Sequence, residues 1–177
     1  MGDKMEKLDE IRKSLNFYVC SNELKNKIID EPNNYSVADH LFGSMILATA
    51  IDSEFKETKN LSKIYRMLLL SEFSISYPNY DFENLKLGNQ YSKEILEARD
   101  MNTESGKLVF KYKMLDLLLT KLIREKENNI TPSELIKEGS TIISSLCSKQ
   151  PYECEEIFKF YYLNFRLKNK VRTGWDS

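Results

Sequence analysis

At 177 residues, with 41 % hydrophobic and 30 % charged side chains, the chain is sized and composed for one globular domain with a real core. Its net charge of −1 gives no global field for nucleic acid, and no run of about 18 apolar residues exists to form a transmembrane helix. The start, Met1 to Lys7, lacks the apolar core of a secretory signal, and Glu6 stands where a myristoylation motif after Gly2 wants Ser or Thr. Three cysteines, Cys20, Cys147 and Cys154, form no metal-like pair. An odd count without a secretory signal points to reduced thiols in a cytoplasmic protein.

In chain order the elements read as nearly all helix. Leu8, Ile11, Leu15, Tyr18, Leu24 and Ile28 recur at helical spacing and predict a first helix from about 5 to 27. Asp30 to Asn34 is a turn cluster. Ser36 is placed to cap a second helix. Val37, Leu41, Met45 and Ala48 share one face of it, and Phe42, Ile46 and Leu47 widen that face, so this helix is expected at the buried centre of a bundle.

Asn60 or Ser62 starts a third helix that ends before Tyr77-Pro78-Asn79-Tyr80. Asp81 to Gln90 reads as loop, and Tyr91 to Met101 as a short helix. Thr103 caps a long helix to about Lys126, with Leu108, Tyr112, Leu115, Leu118, Leu119 and Leu122 on its apolar face. Thr131-Pro132-Ser133-Glu134 is a capping box with proline at the first helical position, opening a helix to about Ser148. Pro151 opens a last one through about Lys170. No segment reads as a strand. The expected fold is an all-α, compact bundle of six or seven helices.

Two features stand out near the C-terminus. From Lys159 to Arg172 there are five basic residues and no acid; a solvated helix face and a phosphate or acidic-partner site both fit that run. Phe17 to Ile28 also aligns without gaps to Phe160 to Val171, with six of twelve positions identical. Two amphipathic helices can coincide by chance, but the shared Leu-Lys-Asn-Lys core favours common origin. The chain therefore divides into 1–150, one helical module, and 151–177, a helix and tail that repeat the module's opening, packed on the same domain or on a partner.

The only histidine, His40, lies in Tyr35-Ser36-Val37-Ala38-Asp39-His40-Leu41-Phe42-Gly43. That stretch is similar to the first metal-ligand helix of the HD-domain phosphohydrolases. Leu15 to Lys27, Tyr65 to Phe73 and, more weakly, Thr103 to Asp116 also resemble that family, specifically its bacterial 5′-deoxynucleotidase type. The resemblance covers residues 15 to about 118. It implies an HD-like helical bundle, a metal held by two histidines and two acids, and an Arg-Thr-Gly-Trp element near a nucleotide pocket. Here the first copy of the opening helix runs into Ile28-Ile29-Asp30-Glu31 instead. The element follows the second copy, as Arg172-Thr173-Gly174-Trp175, which also fits a piece of a tandem protein.

Carried over position by position, the ligand set is incomplete. His40 matches the first ligand. Ser71 falls where the second histidine belongs and Glu72 where its paired acid belongs. Lys113 falls where the last aspartate is expected, and Asp116 lies one turn further on the same face. A serine hydroxyl is a poor ligand for the metals such sites hold, and a lysine brings positive charge to a cation's place. Lys113 either points inward and pairs with Glu72 or, with the alignment shifted by a turn, faces solvent. His40, without companions, reads as a hydrogen-bonded core residue.

The resemblance thus implies a degenerate, non-catalytic domain with a vestigial site of His40, Ser71, Glu72, Lys113 and Asp116, no metal and no cofactor. Its role would be binding or regulation, inhibition included. Its partner would be a protein, a second copy of itself or a nucleotide held without turnover, with Arg166, Lys168, Lys170, Arg172 and Trp175 as contacts. Neither a membrane nor nucleic acid is expected as a partner; Tyr161, Tyr162 and Phe165 suit a core stripe better than base stacking. The alternative is a weak metal-dependent 5′-nucleotidase acting on nucleoside monophosphates through His40, Glu72 and Asp116.

Overall fold

A computed structural model describes residues 2–30, 34–55, 60–123, 132–147, 150, 152–156 and 159. The fold is all-α, with helices α1 (Gly2–Asn22), α2 (Val37–Phe55), α3 (Leu61–Ser76), α4 (Gly88–Arg99), α5 (Glu104–Ile123) and α6 (Pro132–Cys147). Residues 152–156 are also helical. No helix among the described residues is long and apolar enough to cross a membrane.

The capping residues set where the helices begin. Ser36 Oγ accepts from Asp39 N at 3.1 Å while Asp39 Oδ2 accepts from Ser36 N at 2.9 Å. This reciprocal pair satisfies two donors at the start of α2. Asn60 accepts from Lys63 N at 3.0 Å to open α3, and Thr103 Oγ1 accepts from Gly106 N at 3.0 Å to open α5. α3 ends where predicted, and Lys27 serves its last carbonyl. That ammonium donates to the Ser76 carbonyl and sits 4.0 Å from the centre of the Tyr77 ring, a favourable place for a cation at a negative helix end. The capping box at Thr131, the last helix beyond 159 and the second copy of the repeat lie outside the described residues.

Four expectations are corrected. The first helix stops at Asn22 and continues as a 3-10 turn, Glu23–Asn26, so Ile28 is not helical. Instead β1 (Ile28–Asp30) pairs antiparallel with β2 (Tyr35–Ser36). Strands this short carry too few residues to show an alternating pattern. Asn34, in the connection, takes φ 50°, a conformation asparagine tolerates better than most residues. Part of the expected 81–90 loop is ordered, as a 3-10 turn at Phe82–Asn84 and the first turn of α4. Finally, α2 is not buried all round: Phe42 is 67 % exposed and Ile46 50 %.

Among the described residues the core has three parts. Ala48 of α2, Ile64, Met67 and Leu68 of α3, Ala98 of α4, Val109 and Tyr112 of α5 and Leu146 of α6 form the centre. Leu115 and Leu118 meet Leu135 and Ile136 to fix α6 on α5. Leu24, Val37, Leu70, Phe73, Phe82 and Ile95 close the other end. There Phe17 of α1 meets the ring of Phe73 at 4.8 Å.

Ion pairs fasten α3 to α4. Arg66 donates to both carboxylate oxygens of Glu94, at 3.1 and 2.8 Å, and Lys63 pairs with Glu97 at 2.6 Å. Burial alone would push the Glu94 carboxyl up, but hydrogen bonds from Arg66 and Gln90 outweigh it and hold the group below its ordinary value. The Lys63 hydrogen bond, working against burial, lowers Glu97. A carboxylate with a lowered folded-state pKa stabilises above its unfolded pKa and loses that contribution as pH falls through the lowered value. Arg66→Met is therefore expected to cost about 1 kcal/mol at pH 7, the Arg66 side chain being partly exposed. That deficit should shrink towards pH 2 in urea titrations; a deficit independent of pH would contradict it.

Candidate functional site

α2, α3 and α5 pack on one another and bring four of the five predicted site residues into two charge pairs. His40 lies in the first turn of α2, just after the Ser36–Asp39 cap. Lys113 and Asp116 stand three residues apart on α5, hence on one face. Ser71 and Glu72 are adjacent on α3.

The first pair joins α2 to α5. His40 Nδ1 lies 2.6 Å from Asp116 Oδ2, and both residues are buried. A carboxylate only accepts, so the proton of this bond sits on Nδ1. Tyr35, delivered by β2, donates its hydroxyl to the same carboxylate oxygen. Burial first, then the hydrogen bond to Asp116, pushes the Tyr35 phenol well above its ordinary value, while a hydrogen bond with Thr120 pulls the other way. Thr120, Tyr35, Asp116 and His40 thus form one chain of hydrogen bonds across β2, α5 and α2. Ser44 Oγ donates to the His40 carbonyl at 2.8 Å.

The second pair joins α3 to α5. Lys113 Nζ forms an ion pair with Glu72 Oε1, with the lysine side chain 23 % exposed and the glutamate side chain 10 %. Lys113 is therefore turned inward, the first of the two orientations open from sequence. Ser71 is buried, but its hydroxyl is spent on its own helix, donating to the Leu68 carbonyl at 3.0 Å.

Three residues of this site escaped the sequence reading: Tyr35, Thr120 and Gly43. Gly43 carried a signal. A glycine inside an apolar helix costs about 1 kcal/mol relative to alanine and calls for a packing reason. The reason is Asp116: a Cβ on Gly43 would overlap its carboxylate, lying 2.8 Å from Cγ. Gly43 lets α5 approach α2 closely enough for the His40–Asp116 bond.

The donor set does not fit the metal that the family resemblance implies. Among the described residues no group of three or more His, Cys, Asp or Glu side chains is placed to share one ion. Asp116 is committed to two donors and Glu72 to an ammonium. Arg166, Lys168, Lys170, Arg172 and Trp175 lie outside the described residues. Comparison with protein-family models, curated proteins and solved structures finds no match for this chain.

Proposed function

We propose that this chain is a degenerate HD-like domain that acts in the cytoplasm by binding or regulating a partner and does not hydrolyse phosphate esters. The observation that carries the reading is the Lys113–Glu72 ion pair. Hydrolysis at an HD site draws on a metal to activate water and to polarise the phosphoryl group. Here the acid that would help hold that metal is neutralised by a covalently attached ammonium. Beside it, the Asp116 carboxylate is satisfied by His40 and Tyr35. Both carboxylates that a metal would need are thus compensated by side chains of the same fold. What remains is a rigid helical scaffold whose partner is a protein, a second copy or a nucleotide held intact.

Purified protein, given deoxynucleoside monophosphates with manganese or cobalt, is expected to release no phosphate above the rate of a His40→Ala control. Phosphate release that disappears in His40→Ala would overturn the reading in favour of the weak nucleotidase.

A further inference from the structure

Helix α1 presents an apolar stripe to solvent. Leu8, Ile11, Leu15 and Tyr18 are 55 to 67 % exposed, and Val19 beside them is 57 % exposed. Their helical spacing is what predicts the first helix. The side chains that do attach α1 to the body are Phe17 and Cys20, on the opposite side of the helix. Among the described residues the stripe therefore points away from the body.

The spacing identifies the occupant. Leu8, Ile11, Leu15, Tyr18 and Asn22 alternate steps of three and four residues. That is the seven-residue repeat of a helix that pairs with a like helix. Leu8, Leu15 and Asn22 take one core position of the repeat, Ile11 and Tyr18 the other. Asparagine at the position Asn22 occupies favours two strands, parallel and in register, because it hydrogen-bonds best to its own counterpart. The stripe exposes on the order of 500 Å² per copy, so a pair would bury roughly 1,000 Å², near the lower bound of a specific interface. We infer that α1 is a dimerisation helix, packing parallel against α1 of a second copy through Leu8, Ile11, Leu15 and Tyr18. This inference is independent of the chemistry assigned to the Lys113–Glu72 site.

Light scattering on the full chain after size exclusion tests it. The expected mass is twice the 20.8 kDa of one chain, falling to a single chain in Ile11→Asp and in Leu15→Asp. Both substituted side chains are exposed in the single fold, and circular dichroism verifies that the helix content is retained. A second measurement does not depend on those variants. Under mild oxidation Leu15→Cys should form a disulfide-linked dimer that the wild-type chain does not, because parallel helices bring like positions together. A wild-type monomer would overturn the proposal; the stripe would then be covered by residues 157–177 of the same chain or by a different protein. A dimer that persists in Leu15→Asp, or a dimer in which Leu15→Cys fails to cross-link, overturns it equally.

Discussion

Asp116→Ala is expected to destabilise the fold by about 3–4 kcal/mol. It takes the shared carboxylate acceptor from the His40 Nδ1–H and from the Tyr35 hydroxyl, which keeps only Thr120, and losing the acceptor of a buried donor costs about 1–3 kcal/mol. Gly43→Ala should cost about as much for a different reason. The new methyl group meets the Asp116 carboxylate, and relieving that overlap either separates α2 from α5 or turns the carboxylate off its donors. The two effects share one cause, so they should not add. In an Asp116→Ala background the Gly43→Ala change should become nearly neutral. Urea denaturation of the four proteins in this cycle measures it. Additive losses would mean that Gly43 does not serve the His40–Asp116 contact.

The second large effect is expected at Lys113. Removing one member of a buried pair typically costs about 3–5 kcal/mol, because the remaining charge is uncompensated. Lys113 is partly solvated, so about 2–3 kcal/mol is expected for Lys113→Met. Replacing both partners by apolar side chains of similar volume should recover most of that loss, as is common when buried ion pairs are exchanged for packing. Lys113→Met with unchanged stability would contradict the pairing. So would Lys113→Met combined with Glu72→Leu that is as unstable as the sum of the single changes.

What was legible in the sequence was local. Ser36, Asn60 and Thr103 start their helices through hydrogen bonds that span three residues, and a capping residue declares itself in three positions of sequence. The Lys113–Glu72 pair was legible only as one of two orientations: the resemblance implied that both residues share a site, but whether Lys113 turns inward is decided by how α5 packs on α3. Tyr35 and Thr120 were not legible, because their roles depend on a short hairpin and on the far end of α5 meeting at Asp116. The faces of the helices divide in the same way. Periodicity reports that Leu8, Ile11, Leu15 and Tyr18 share a stripe, and that α2 is apolar nearly all round. It does not report what covers them. The described residues cover neither the α1 stripe nor Phe42 and Ile46 of α2, because burial is decided by which helices meet, and α1 meets the body through Phe17 and Cys20 instead.

A thermal melt with and without manganese tests most directly whether side chains of this fold take the place of a metal ion between α2, α3 and α5. A site with a Kd 100-fold below the metal concentration would add about 2.7 kcal/mol to stability, raising Tm by roughly 5–10 °C for a chain of this size. The Tm of the wild-type chain is expected to stay within about 1 °C of its metal-free value, and His40→Ala to behave the same way on adding manganese. A metal-dependent rise of several degrees in the wild type that is lost in His40→Ala would contradict it.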